Sequence, residues 1–293
     1  MTAQTPGHTA AGTTTADPAR AWQGDALDLD AYLARVGYDG DRGPTLDTLR
    51  ALHRAHLAAF PFENLDIVLG RPIRLDIGHL VEKLVHGRRG GYCYEHNHLF
   101  AAVLERLGFT FTGVAARVQM GTDKLRPATH MALIVTIDGT DHLADVGFGD
   151  EGLLEPLPFA DGSQARQSGA TFRIERRGGE WVLRSLHTDG WFDIYRFTTA
   201  PQHTLDYEIY NHYLQTHERS PFMGRIIAQK TSPELRHSLI DTTLTTTRHG
   251  GTAHERLLDP EEVPPTLRTV FGIGLAPEES STVTTRVRAF IAE

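Results

Sequence analysis

Arg89-Gly90-Gly91-Tyr92-Cys93-Tyr94-Glu95-His96-Asn97 opens a stretch that continues as HLFAAVLERLGFTFTGVAARVQM to Met120, and the hydrophobic period changes within it. Leu99, Phe100, Val103, Leu104 and Leu107 recur at three- and four-residue spacings, the stripe of an amphipathic helix. Gly108 stands where a helix C-cap would. Beyond it the alternation shortens to two, which predicts a strand over Thr112–Met120. Toward the N-terminus, from Leu27, the pattern is helical. Pro44-Thr45 opens a segment with Leu46, Leu49, Leu52, His53, His56 and Leu57 on one face, and Pro61 and the turn at Gly70-Arg71-Pro72 interrupt it. Toward the C-terminus, strands are expected over Met131–Ile137, His142–Val146, Thr171–Arg176, Trp181–Leu186 and Trp191–Phe197. Asp138-Gly139, Gly178-Gly179 and Asp189-Gly190 are the hairpin signals between them. Such a run implies a curled sheet or small barrel, with Trp181 and Trp191 in its core. Leu205, Ile209 and Tyr213 mark one more helix; strand-like runs at Arg225–Ala228 and Leu239–Leu244 follow, then a helix near Pro265–Phe271.

The fold class is therefore α+β. Its expected parts are a flexible tail over 1–26, a helical part carrying the cysteine over 27–110, a barrel over 111–202, and a linking helix with a mixed α/β part over 203–293. The 293 residues suffice for a large core without staples. A single cysteine excludes an internal disulfide framework and a cysteine-based zinc ribbon. The net charge of −8 argues against a general nucleic-acid or anionic-membrane binder. No secretory signal or spanning segment is read, so a cytoplasmic location with a reduced thiol is expected. The histidine pairs His96/His98 and His53/His56 match no zinc signature, and no metal is expected.

Cys93 follows two glycines at a helix start. Glycines let the backbone turn sharply there, and the free amides of a first turn lower a thiol pKa and donate to an oxyanion. The alternative is a buried cysteine acting as a small hydrophobe. A thiol nucleophile needs a base, and hairpin register selects one from sixteen histidines. With Asp138-Gly139 as a two-residue turn, Ile137 faces Thr140 and Ala132 faces Asp145. His130 and Asp145 then share a face as diagonal neighbours, while His142 points to the other. Asp145 would fix the His130 tautomer and stabilise its imidazolium; a one-residue slip would destroy the pairing.

Over about residues 27–293 the sequence resembles the arylamine N-acetyltransferase family. The matching stretches are Pro61-Phe62-Glu63-Asn64-Leu65, Arg89 to Asn97, Thr129-His130-Met131-Ala132-Leu133, Asp145-Val146-Gly147-Phe148-Gly149 and the weaker Ser220-Pro221-Phe222. The resemblance implies a Cys93–His130–Asp145 triad, and a papain-like or transglutaminase-like core of helical bundle, β-barrel and C-terminal α/β lid. It implies ping-pong transfer of acetyl from acetyl-CoA, a substrate and not a bound cofactor, through acyl-Cys93 to an aromatic amine or hydrazine. Phe62, Phe148, Gly147 and Gly149 correspond to substrate-binding positions, with core packing the alternative for the two phenylalanines. Arg89 is expected either to pair with Glu63 and hold the cysteine loop or to bind a CoA phosphate. Asp150-Glu151 depart from the family's usual small or neutral residues, and carboxylates near the CoA phosphates would weaken binding. A related amide synthase using a carrier-bound polyketide thioester, and a thiol hydrolase, are the alternative activities.

Overall fold

A computed structural model describes residues 22–232, 234–248 and 251–292; the expected tail over 1–21 lies outside them. Capping side chains start the first helices. Asp28 accepts from Ala31 N at α1 (Leu29–Val36), and Thr45 Oγ1 accepts from Thr48 N at α2 (Leu46–Ala59). Pro61 forces Phe60 into an extended conformation and ends α2. Then come β1 (Phe62–Glu63), α3 (Leu65–Val68) and α4 (Ile77–Leu80), which runs on through a π-helical turn at Val81–His86. The central helix α5 (Cys93–Arg106) is buried from Cys93 through Leu104, so its polar residues are interior groups too. Gly108, at φ +79°, reverses the chain after it.

Residues 22–26, assigned above to the tail, instead pack on α5. Gly24–Ala26 form a 3-10 turn, and Trp22 N and Gly24 N donate to the Glu105 carboxylate. The Trp22 ring lies against His98, Phe111 and Tyr207. One large aromatic group supplies enough apolar area to order a segment whose average composition reads as coil.

The barrel strands are β2 (Thr110–Val118), β3 (His130–Ile137), β4 (Thr140–Ala144), β5 (Leu157–Pro158), β6 (Gln164–Gln167), β7 (Ala170–Arg177), β8 (Glu180–His187) and β9 (Gly190–Phe197). They form one antiparallel sheet in the order β5-β4-β3-β2-β9-β8-β7-β6. Its two edges, β5 and β6, are neighbours in sequence and approach each other, so the sheet nearly closes around its own core of Val114, Leu143, Phe172, Leu183, Ile194 and Phe197. Two details differ from expectation. His187 pairs with Gly190, placing the last hairpin turn at Thr188-Asp189. Trp181 packs at the barrel core beside Phe159 (4.4 Å), but Trp191 stands outside it, its ring between the Arg173 and Arg184 guanidinium groups at 5.7 and 5.8 Å. Cation–π contact and the arginine stems cover that ring without burying it.

Helix α6 (Thr204–Thr216) links barrel to lid. Its inward face is Tyr207, Asn211 and Leu214, whereas Leu205 and Ile209 of the expected stripe are 54% and 69% exposed. Polar anchoring sets this rotation: Asn211 accepts from Tyr92 Oη and donates to Ile73 O (2.9 Å). The lid comprises β10 (Ile227–Thr231), β11 (Leu235–Ile240), β12 (Thr243–Arg248), β13 (Ala253–Leu257), α7 (Val263–Thr269) and α8 (Pro277–Phe290). The run Leu239–Leu244, expected as one strand, is a hairpin in which these two residues pair across Asp241-Thr242; Asp241, at φ +54°, permits the turn. The lid sheet has the order β1-β10-β11-β12-β13, so its first strand comes from the helical part, with Phe62 opposite Gln229. Among the described residues no helix is long and apolar enough to cross a membrane.

Candidate active site

Cys93 is the first residue of α5, 4% exposed, with Sγ 3.7 Å from the carbonyl of Thr129. The glycines before it serve closeness and not the sharp turn expected of them. Neither has a left-handed φ, which falls instead on Arg88 at +50°. A Cβ on Gly90 would lie 1.8 Å from the Pro61 carbonyl. That proximity lets Gly91 N donate to Pro61 O and Glu63 N donate to Gly91 O, lacing the cysteine loop to β1.

The turn at Asp138-Gly139 is the two-residue hairpin anticipated, with Ile137 opposite Thr140 and Leu133 opposite Ala144. The strands part just beyond, and there His130 Nε2 meets Asp145 Oδ2 at 2.6 Å, both side chains buried. Asp145 Oδ1 accepts from Asn97 Nδ2 and Gly147 N, each at 3.0 Å. Asn97 lies one helical turn after Cys93, donates also to Met131 O (2.7 Å), and accepts from Val146 N (3.2 Å). The motif Arg89–Asn97 by itself assigns Asn97 no role; its i, i+4 spacing from Cys93 is the signal that places it beside the thiol. Phe148 packs edge-on against the His130 ring at 5.0 Å, and Tyr195 of β9 lies at 5.1 Å from it. The Tyr195 hydroxyl is buried near Asp145 but outside hydrogen-bond geometry. Phe62 stacks on His96 at 6.3 Å and contacts Phe222. Gly147 lies against the backbone of Cys93, where a Cβ would come within 2.7 Å of the Cys93 carbonyl; Gly149 lies against Gln229 of the lid.

A buried ionic network supports the cysteine loop. Arg89 Nε is 2.8 Å from Glu63 Oε1 and its Nη2 3.2 Å from Asp66 Oδ1. Lys83 Nζ reaches Asp66 at 2.5 Å and Glu95 at 2.6 Å, and Glu95 Oε2 accepts from Tyr92 N. Burial would raise the Glu63 carboxyl, but Arg89 and Lys83 outweigh it and hold it down to about 2. Glu95 is pushed up to about 7, because burial outweighs Lys83 and the nearby Asp66 and Glu63 add to it. The guanidinium of Arg89 is thus already committed to two carboxylates.

The thiol departs from the sequence expectation. Burial first, then the Asp145 charge, push Cys93 well above its ordinary value, against the opposing backbone amides of the helix start. Asp145 itself would be raised by burial, but His130, Asn97 and Gly147 N–H together bring it below the usual carboxylate range. The arrangement places a buried thiol against the Thr129 carbonyl, next in sequence to a histidine whose Nε2 is held by a carboxylate, which leaves Nδ1 as its other ring nitrogen. Glu151, one of the two unusual carboxylates, bonds Ser185 Oγ at 3.1 Å and lies 3.3 Å from His187. Among the described residues, no group of three or more His, Cys, Asp or Glu side chains could hold a metal ion.

An N-acetyltransferase family model matches residues 45–280. The arylamine N-acetyltransferase of Mycobacterium tuberculosis is 38% identical over 274 residues, covering 91% of this chain and 97% of the relative. The crystal structure of the Nocardia farcinica arylamine N-acetyltransferase is 47% identical, with TM-score 0.90, covering 94% of this chain and 99% of that one. The Mycobacterium marinum arylamine N-acetyltransferase in complex with CoA is 36% identical, with TM-score 0.82, covering 90% and 98%.

Proposed function

The chain belongs to the arylamine N-acetyltransferase family, and we propose that it is a ping-pong enzyme in which Cys93 carries acetyl from acetyl-CoA to an aromatic amine or hydrazine. The observation that carries this reading is the buried 2.6 Å contact between His130 Nε2 and Asp145 Oδ2, beside the chain's single cysteine at a helix start. Asp145 holds the imidazole with its proton on Nε2, so Nδ1 is the base. The Cys93 proton passes to Nδ1, and the thiolate attacks the thioester carbonyl as His130 becomes imidazolium paired with Asp145. The first-turn amides of α5 face the negative oxygen of the tetrahedral intermediate. As that intermediate collapses, the bond to the CoA sulfur breaks and the proton on Nδ1 goes to the departing thiolate. The amine nitrogen then attacks acetyl-Cys93, gives its proton to Nδ1, and the cysteine sulfur leaves and is reprotonated.

Arg89, Glu63 and Lys83 keep the cysteine loop in place, and Phe62 and Phe148 wall the acyl and amine space. With Glu151 engaged on β8, its charge is partly satisfied within the barrel. A cytoplasmic location accords with an unpaired thiol. The test is incubation with acetyl-CoA, then with an arylamine, followed by mass spectrometry and release of free CoA. We expect an acetyl adduct on Cys93 that only amine discharges, absent in Cys93→Ala. CoA release continuing without amine would establish hydrolysis instead, and failure to acylate with acetyl-CoA would direct attention to a carrier-bound donor.

A further inference from the structure

We infer that His53, on α2, is a positioning residue that fixes Asp145 through its backbone; the inference rests on the triad reading above. His53 is wholly buried. Its Nε2 lies 3.3 Å from Asp145 N and its Nδ1 lies 3.1 Å from Leu154 O. An amide N–H only donates and a carbonyl only accepts, so a single tautomer satisfies both, with the proton on Nδ1 and the lone pair on Nε2. Phe100 lies edge-on to the ring at 6.0 Å and fixes its plane. Burial first, against weaker opposing effects of Asp145 and the Leu154 carbonyl, lowers the imidazole to about 4, so the ring stays neutral at working pH.

The two bonded groups are the ends of one segment. Strand β4 stops at Ala144, so the Asp145 amide has left the ladder, and His53 takes the place of a strand partner. Between Asp145 and Leu154 lie Gly147, Phe148 and Gly149. The middle and far end of the segment have further holds: Gln229 accepts from Asp150 N, Ser185 bonds Glu151, and Gln167 accepts from Leu154 N. At its near end, the hydrogen bond that Asp145 N donates to His53 Nε2 sets the direction of the Asp145 carboxylate, hence the orientation of the His130 ring bonded to it. Leucine or phenylalanine would fill the space and leave the amide without an acceptor.

Two conservative variants separate the two bonds. His53→Gln places an acceptor near the Nε2 position and loses the Nδ1 donor; His53→Asn keeps a donor near Nδ1 and loses the acceptor for Asp145. We expect His53→Asn to slow single-turnover acetylation of Cys93 by about tenfold. Its KM for acetyl-CoA should stay within about twofold, and the pH profile of Cys93 alkylation by iodoacetamide should shift. His53→Gln should acetylate at least about fivefold faster than His53→Asn at comparable melting temperature. Equal rates in the two variants, or losses that follow melting temperature alone, would overturn the inference. Nitrogen NMR of the histidines in the unmodified protein tests it without substitution: His53 must be the Nδ1–H tautomer and must not titrate near pH 6.5. Asp145→Asn is the control for the underlying reading. If it acetylates normally the triad fails; if it is inactive while His53→Asn matches the native enzyme, only the role of His53 fails.

Discussion

Asn97 joins three backbone or side-chain groups of the site that come from two separate stretches of chain: Met131 O, Asp145 Oδ1 and Val146 N. Asn97→Ala leaves these buried groups short of partners, at a cost of about 1–3 kcal/mol for each left unsatisfied. Urea unfolding should register a loss of at least that size, and acetylation of Cys93 should slow because Asp145 loses one of its three donors. The buried histidines make a second prediction at this scale. His53, His96 and His98 are each lowered by burial to about 4, and His56 is also well below its ordinary value. A histidine depressed in the folded state contributes stability above pH 6.5 and loses it as pH falls toward the folded value. Glu95, raised to about 7, works oppositely and gains stability as pH falls through 7 toward 4.5. Between 6.5 and 4.5 the depressed histidines outnumber Glu95, so stability should fall as pH falls through that range. Near-UV circular dichroism against pH should therefore show loss of tertiary structure well above pH 4. The meeting of His130 with Asp145 was legible because a two-residue turn fixes register. Asn97 and His53 were not, because they act chiefly on backbone groups, for which side-chain identities at the receiving positions carry no signal.

Helix α5 and strand β1 are coupled through Gly90, which admits the Pro61 backbone, and Gly91, whose N–H donates to Pro61 O. Gly90→Ala drives a methyl group into the Pro61 carbonyl and should cost about 3 kcal/mol, measured by thermal unfolding, with loss of the cysteine loop's geometry and hence of acetylation. Helix α6 carries the opposite prediction. Leu205 and Ile209 face solvent, so Leu205→Glu with Ile209→Lys should change stability by no more than about 0.5 kcal/mol per substitution and should raise solubility. Periodicity located this helix but not its rotation. Hydrophobic spacing alone cannot weigh the Asn211 bonds to Tyr92 and Ile73, which hold a polar residue inward. The lid hairpin at Asp241 was hidden for a related reason: its turn lacks glycine and asparagine, and the threonines of the turn and of the strand after it maintain a strand-like composition.

Among the described residues there are three cores, one among the helices, one inside the barrel and one beneath the lid, and α3 contributes Leu65 and Val68 to the last. The change of hydrophobic period at Gly108 foretold the helical and barrel parts. It could not foretell that the lid sheet begins at Phe62, because a two-residue strand is too short to show alternation. A fragment ending at Thr216 should therefore be aggregation-prone, eluting as large species in size-exclusion chromatography, since it presents β1 unpaired and uncovers the α3 residues. That pairing also has a bearing on synthesis. At ordinary translation rates, roughly 8–30 s separate the emergence of Phe62 from that of its partner Gln229. From the emergence of Asp145 until that of Gln229, the ribosome-bound chain already carries Cys93, His130 and Asp145 next to a strand that lacks its neighbour. On the proposed reading, a chain cut short before Gln229 should therefore fail to form acetyl-Cys93, which mass spectrometry of such fragments incubated with acetyl-CoA would register.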